Sequence, residues 1–406
     1  MPRALRITLT ILAAAIALHA IAVVWRQNAK AAGLDFYIYF VNAQLASRTD
    51  LENIYAPDVQ DRVGEEYFER AQRGHSELRR YDAQRRRRLD NVSSPFLYTT
   101  LRWVSRDYDF ALQQYHALVL LAFVIGVVLT GWRARLPFFA TLFVLAGLLY
   151  WYRGLEADLR VGNVNALQLA AIGAMLVIGA RNRFVAAIVF GALLAFKPNL
   201  LFVFLLLVAS RVIVRDWRNL RKEIAGGAIG GAAAFAIASI SYGSPRVWLQ
   251  WLTAANQFWH RLPTRMERNV APALPWFHEY GTWVSYAIAA LLVTTVCVAI
   301  ARRKRIDDLL IVAAGLLIYL LSATVVWLHY MVLAIPAALA LLRGRGTAAV
   351  SIAALLLIAE EPFERLAQTQ AFPIETLLIT PSLLALFVCV VWKLAASNDR
   401  PAAAAG

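Results

Sequence analysis

The sequence predicts an all-α integral membrane protein, a single polytopic domain over residues 1–406 that crosses the bilayer about twelve times. Two observations carry this prediction. Residues of the hydrophobic set make up 60% of the chain and mean hydropathy is +0.55. Apolar runs with almost no charge recur from Leu5 to Leu394, a pattern that excludes a soluble globular fold. Charge points the same way. The chain carries 41 Lys plus Arg against 26 Asp plus Glu, a net +15, which in a soluble domain would raise the question of nucleic acid. Here the cations gather in short loops between apolar runs, as the cytoplasmic loops of membrane proteins do, so the expected partner is the lipid bilayer and no nucleic acid. Cys297 and Cys389 each lie inside an apolar segment and give no disulfide framework or cysteine metal site.

The first run, Leu5 to Trp25, follows Arg3 and Arg6. Although Ala29-Lys30-Ala31 loosely resembles a cleavage site, an apolar run of roughly 20 residues has the length of a span rather than of a signal-peptide core. It reads as an uncleaved first span with a cytoplasmic N-terminus. Further spans are expected near 111–131, 136–152, 164–180, 184–196, 199–213 and 224–242, then near 282–301, 308–327, 330–342, 347–359 and 374–394. Under this order Arg133 and Arg135, Arg181 and Arg183, Arg211 to Lys222, Arg302 to Arg305, and Arg343 and Arg345 share one side, which marks it as cytoplasmic. The expected location is therefore the inner (plasma) membrane, multi-pass, with the long loops and any active site facing the exterior or periplasm.

Two loops lie on that outer side. The first, 26–108, mixes charged helix formers with aromatic residues, as in Asp61 to Arg88, and reads as helices lying on the membrane surface. Its basic run Arg85 to Arg88, with Arg79 and Arg80, opposes the charge rule, but long loops translocate largely regardless of charge. The run reads as a solvated or lipid-facing surface, with contact to an anionic substrate group as the alternative. The second loop, 243–282, is rich in Trp and contains Pro263, Pro272 and Pro275, a composition suited to the interface. Between the loops, Phe184 to Arg211 is too long for one ordinary span and has Lys197-Pro198-Asn199 at its centre. A pair of short helices meeting at Pro198 keeps the following basic cluster inside. Lys197 then sits at the outer end of a hairpin, either facing a cavity or snorkelling to the interface.

No glycine-rich phosphate loop, His-Glu-x-x-His or nucleophile elbow is present. What the topology supplies is a set of polar residues on one side: Asp35, the Asn91–Pro95 region, Asp107, Asp109, Glu156, Asp158, Asn163, Lys197, His260, Asn269, His278 and His329. Together they suggest an external cavity roofed by the two loops, open to a lipid-linked substrate from the bilayer. Asp107-x-Asp109 has the oxygens a hard cation favours, but a two-acid motif is common by chance and no metal is expected. Glu156 and Asp158 are expected to pair with Arg153 and Arg160.

Asp35-Phe36-x-x-Tyr39 followed by Ile54-Tyr55, Gly162-Asn163-x-Asn165 before a span, Lys197-Pro198, Asn269 before a small-residue run and Trp327-x-His329-Tyr330 recur in an order that spans about residues 33–342. On these motifs the chain resembles glycosyltransferase family 87, the polyprenyl-phosphate-mannose-dependent mannosyltransferases of the GT-C fold. It departs from the family where Asn163 stands in place of Gln and where Val270-Ala271 follow Asn269 in place of Gln-Ser, as a divergent member would. The resemblance implies a GT-C-like bundle and transfer of a sugar, mannose by analogy, from a polyprenyl-phosphate donor to a glycan or glycolipid acceptor hydroxyl, with inversion and no cofactor. It also implies Asp35 as the general base, Lys197 and His329 at the donor phosphate, and Tyr39, Asn163, Asn269 and Tyr330 around the substrates.

The residues agree with such chemistry. A sugar hydroxyl is a poor nucleophile at neutral pH, so a carboxylate within hydrogen-bond reach must take its proton as the bond forms. The leaving phosphate gains charge that a Lys or His stabilises, roughly 1.5–3 kcal/mol for each charge-assisted contact. From residue type alone, Asp35 is as well an interfacial cap and His329 beside Tyr330 an interfacial anchor. Two other functions compete. A lipid or lipid-linked-sugar transporter or flippase would use an intramembrane Lys and broken helices, but it needs polar residues along both halves of a path and commonly shows internal repeats. The chain shows no convincing repeat. An inactive structural relative would have little reason to keep Asp35, Lys197 and His329 together.

Overall fold

The computed structural model describes residues 2–28, 30–46, 48, 50–261, 269–273, 276, 280–301, 303, 306–358 and 374–396. Helix accounts for 80% of it, and the described residues contain no strand. Chain order runs α1 (Arg3–Asn28), α2 (Leu34–Leu45), α3 (Pro57–Gln72), α4 (Glu77–Arg85), α5 (Pro95–Thr100), α6 (Tyr108–Arg133), α7 (Phe138–Trp151), α8 (Arg153–Val161) and α9 (Asn165–Gly179). It continues with α10 (Arg183–Phe196), α11 (Leu201–Ile213), α12 (Trp217–Ser241), α13 (Arg246–Arg261), α14 (Trp283–Ile300), α15 (Asp308–Ser322), α16 (Ile335–Leu341), α17 (Arg345–Ile358) and α18 (Ile374–Ala396). Short 3-10 turns, Pro198–Leu200 and Leu328–Ala334, lead into α11 and α16.

Five helices are long and apolar enough to cross a membrane, six if α7 and α8, bent 61° apart, count as one broken span. The remaining apolar helices are shorter, at 10–17 residues, so length alone does not reach the expected twelve. Caps set many of the starts. Asp107 accepts from Phe110 N at 2.8 Å to open α6, Asn182 from Val185 N at 3.3 Å to open α10, and Ser94 from Leu97 N at 3.2 Å before Pro95 to open α5. The hairpin at Lys197-Pro198 forms as the sequence predicts: α10 ends at Phe196, and Lys197 has an extended backbone (φ −153°, ψ 114°), the conformation favoured before proline.

The core lies along α15 and α16, buried on nearly every face, as expected of helices that are apolar all round. Around them α10 packs on α12, α6 on α9, α1 on α7, and α11 on α15. The α10–α12 contact uses small residues: a Cβ added at Gly191 would lie 2.0 Å from Gly227 O, and one at Gly230 would lie 1.9 Å from Ile188 O. Backbones can approach this closely only without side chains, the usual device between helices in lipid. At the end that bears the basic clusters, Arg211, 2% exposed, bonds to Glu223 and Asp308, and Arg183 reaches the same two acids at 3.1 and 2.9 Å. One charge network thus joins α10, α11, α12 and the start of α15.

The first loop departs from expectation in one respect. α3 does present an amphipathic face (Val59, Val63, Tyr67, Ala71 buried), but α2 is no surface helix. Phe36 through Val41 are all buried, because the segment is too apolar to remain outside and inserts against α4, α5 and α8. The basic run is also largely neutralised within its own loop. Arg87 pairs with Glu65 at 2.5 Å, Arg88 with Asp61 at 3.2 Å, and Arg85 sits over the Tyr81 ring at 5.6 Å.

Candidate active site

Asp35 lies in the first turn of α2, fixed there by two direct hydrogen bonds and by contacts to its neighbours Gly33, Leu34 and Phe36. Gly162 ends α8 in the left-handed conformation (φ +67°), where glycine is nearly free of strain, and a Cβ at that position would meet Phe36 Cβ at 2.6 Å. That turn brings the next residue, Asn163, to Asp35: its Nδ2 donates to Oδ2 at 2.7 Å. On the other side Arg86 Nη2 donates to Oδ1 at 2.8 Å, and Arg86 Nε to Leu34 O at 3.3 Å. Behind the helix start, Asp82 Oδ2 accepts from Gly33 N at 3.0 Å and from Tyr108 Oη at 2.5 Å. Burial raises the Asp82 carboxyl above its ordinary value against the pull of these two donors, and its Oδ1 has no partner among the described residues.

The second contributor is the broken hairpin. Lys197 Nζ donates to Asn163 Oδ1 at 3.0 Å and Asn165 Oδ1 at 3.5 Å, and stands 4.5 Å from the centroid of the Tyr330 ring. A single amide, Asn163, therefore bridges the carboxylate of Asp35 and the ammonium of Lys197. Ser94 fastens the first loop to the same corner by donating to Phe196 O at 2.9 Å.

The third contributor is the segment before α16. Asn269 gives its whole amide to the backbone there: Nδ2 donates to Thr324 O at 2.9 Å, and Oδ1 accepts from Val326 N at 2.9 Å and Ala271 N at 3.1 Å. Tyr152 Oη donates to Met331 O at 2.6 Å on the far side. Between these anchors His329 is buried, its ring edge-on to Tyr330 at 4.7 Å between centroids, and its Nε2 has no partner among the described residues.

These pieces enclose a cavity of about 780 Å³ lined by Asp35, Tyr39, Arg86, Ser93, Ser94, Glu156, Asn163, Lys197, Trp251, Trp327, His329 and Tyr330, with Phe196, Phe202 and Leu328 among the apolar walls. One end of the cavity is thus ionic and hydrogen-bonding and the rest apolar and aromatic, a mix that suits an amphiphile with a polar head.

The structure brings Asp35, Tyr39, Asn163, Lys197, His329 and Tyr330 together. Asn269 does not line the cavity; it shapes the wall that presents His329. Asp107 is occupied as a helix cap, and Asp109 accepts from Ser76 Oγ at 2.5 Å. Glu156 pairs with Arg153 at 2.5 Å as expected. Asp158 does not pair with Arg160: fully buried, it accepts from Asn165 Nδ2 at 2.8 Å and Ala166 N at 3.0 Å, because α8 turns it inward onto the start of α9 while Arg160 faces outward. The side chain of His260, and His278 altogether, lie outside the described residues.

Arg86 and Asp82 were not singled out from the sequence. Arg86 has three arginine neighbours of identical type, and only the position of α4 under α2 selects it. Asp82 lies in a stretch where acids and bases alternate. The one available signal was the apolar content of Leu34–Leu45, which requires the loop to fold inward.

Among known families, a model of glycosyltransferase family 87 matches residues 93–326, a stretch that includes Asn163, Lys197 and Asn269 and excludes Asp35, His329 and Tyr330. No curated protein and no solved structure matches the chain.

Proposed function

The chain belongs to glycosyltransferase family 87 and is a membrane glycosyltransferase, and from that premise we propose that it moves mannose from a polyprenyl-phosphate donor to a hydroxyl of a lipid-linked or glycan acceptor. In this reading the acceptor oxygen attacks the anomeric carbon, the bond from that carbon to the phosphate oxygen breaks, the hydroxyl proton passes to Asp35, and polyprenyl phosphate departs. A single displacement inverts the anomeric configuration.

The observation that carries the reading is the convergence of Asp35, Lys197 and His329, from three distant parts of the chain, on one cavity with an ionic end and an apolar remainder. Asp35 holds Arg86 and Asn163 yet keeps acceptor capacity, since each carboxylate oxygen has two lone pairs. Lys197 is held by neutral amides, so its charge is available to a phosphate. The Nε2 of His329, without a partner among the described residues, is a further donor or acceptor. The apolar walls suit a prenyl chain. We also propose that the shorter apolar helices complete about twelve crossings of the inner membrane, with the cavity on the exterior side, opposite the basic loops.

The experiment is transfer from radiolabelled polyprenyl-phosphate mannose to a synthetic lipid-linked mannoside by the purified protein. Asp35→Asn is expected to lose about 10²–10⁴-fold in rate, the range for a general base, with its melting temperature preserved. Undiminished turnover in that variant removes Asp35 from the role. Counterflow of the lipid-linked sugar across sealed vesicles with no glycosidic bond formed would replace transfer by transport.

A further inference from the structure

A second groove, of about 760 Å³, opens at the other end of the helix bundle. Five helices bring their ends to it. Arg133 closes α6, Asp307 and Leu310 open α15, residues Arg343 to Thr347 turn from α16 into α17, and Trp392 and Lys393 come from the end of α18. Its place in the membrane domain follows from helices shared with the catalytic cavity. On α15, Tyr319 lines the catalytic cavity while Asp307, just before the helix, lines this groove, roughly 18 Å away at 1.5 Å per residue. On α6, Tyr115 donates to Asn163 O beside the catalytic cavity while Arg133 lines the groove, roughly 27 Å away. The two sites therefore stand near opposite faces of a hydrocarbon layer about 30 Å thick.

The charges facing the groove are unequal. Among the described residues Arg133, Arg343, Arg345 and Lys393 contribute four cations, against a single acid, Asp307. Asp307 is already engaged, pairing with Arg133 at 3.3 Å and capping α15 through Leu309 N at 3.0 Å. Lys393 is occupied by the end of α16, its Nζ donating to Ala340 O at 2.9 Å and Leu341 O at 3.4 Å. Arg343 and Arg345 remain, exposed and without an ion pair among the described residues. The first turn of α17 adds backbone N–H groups and the positive end of a helix dipole beside them. The remaining wall is apolar, with Leu309, Leu310, Val350, Cys389 and a 59% exposed Trp392, the residue type that anchors at the headgroup level.

An anion alone would use the two guanidinium groups and leave that wall idle. An amphiphile uses both. We infer that this groove binds the phosphate-bearing headgroup of a bilayer lipid in the leaflet opposite the catalytic cavity, with the head between Arg343, Arg345 and the first turn of α17 and the chains along Leu310 and Trp392.

The test is native mass spectrometry of the delipidated full-length protein titrated with dioleoylphosphatidylglycerol, with dioleoylphosphatidylcholine, and with phosphatidylglycerol in the presence of millimolar inorganic phosphate. The expected result is one phosphatidylglycerol retained at concentrations where phosphatidylcholine is not, with no displacement by inorganic phosphate. Two variants localise the site. Arg343→Gln/Arg345→Gln removes the unmatched charge. Gly346→Glu, where an added Cβ meets nothing within 4 Å, places a carboxylate in the groove at a helix position that favours one. Each is expected to weaken phosphatidylglycerol about tenfold, the effect of roughly 1.4 kcal/mol from lost or opposed charge contacts, at unchanged melting temperature. Equal retention of the two lipids in the wild-type protein overturns the inference without recourse to a variant. So does undiminished phosphatidylglycerol binding in Gly346→Glu. Displacement by inorganic phosphate would reassign the groove to a soluble phosphate and overturn the lipid.

Discussion

Lys197 and Arg211 are both cations set among apolar helices, at opposite ends of the hairpin that breaks at Pro198, and their surroundings differ in kind. Arg211 is met by two carboxylates, Glu223 and Asp308, with Arg183 completing a closed network in which each charge is compensated. Lys197 is met by two neutral amides and an aromatic ring, and makes no direct ion pair among the described residues. A charge compensated inside the protein holds helices together. One held in place by dipoles keeps most of its field for something else. The sequence sets the two on opposite sides of the membrane, each a basic residue in or beside a short apolar helix; the nature of the partners shows which charge is compensated.

Exchanging each for a neutral side chain of similar length breaks the comparison most directly. Arg211→Met leaves Glu223 and Asp308 with Arg183 alone between them, so that one buried carboxylate loses its compensation, and is expected to cost roughly 3–5 kcal/mol, read as a large fall in melting temperature in detergent. Lys197→Met leaves no carboxylate newly unpaired by direct contact. It is expected to keep the melting temperature and to lower kcat/KM for the lipid-phosphate donor roughly 10–100-fold, the worth of one charge-assisted phosphate contact. If Lys197→Met unfolds the protein while Arg211→Met leaves it intact, the assignment of structural and functional cation is reversed.

Much of this contrast was legible in sequence for a simple reason: proline and glycine report backbone geometry directly. Pro198 predicted a hairpin, and with it the side of the membrane on which Lys197 lies. Gly162-Asn163-x-Asn165 was legible as a motif before a span, and the turn at Gly162 that carries Asn163 to Asp35 came only with the structure. What could not be read was which members of a repetitive set are used. Arg86 is indistinguishable from Arg85, Arg87 and Arg88 until α4 is placed under α2, and Asn269 looked like a substrate contact until its amide was found spent on the 324–326 backbone. The count of spans was illegible for another reason. Several apolar helices are shorter than a bilayer, and hydropathy does not say whether a 13-residue helix crosses, pairs with a neighbour or stops midway.

A smaller effect sharpens the role of the α8–α9 turn. Gly162→Ala forces a β-carbon into a left-handed backbone, costing about 1–2 kcal/mol, and drives it toward Phe36 Cβ at 2.6 Å. The neighbour can yield only by moving the start of α2, so turnover is expected to fall more than stability: a melting-temperature loss of a few degrees with a kcat loss several times larger than Phe36→Leu gives. Equal losses of stability and turnover would make the turn a packing device with no bearing on Asp35.

The smallest effect concerns the acid behind the site. Burial raises the Asp82 carboxyl above its ordinary 3.8, so the native state holds that proton more tightly than the unfolded chain does. Where the native state binds more protons, stability falls as pH rises. The contribution of Asp82 is therefore complete below pH 3.8 and is lost as pH climbs through the raised value. Asp82→Asn keeps an acceptor for Gly33 N–H and the Tyr108 hydroxyl but has no charge to bury. It should flatten the slope of melting temperature against pH over that window and match or exceed the wild-type protein at neutral pH. A variant that is less stable at neutral pH, with the slope unchanged, would show that the ionised carboxylate is itself what holds residue 33, and hence Asp35, in place.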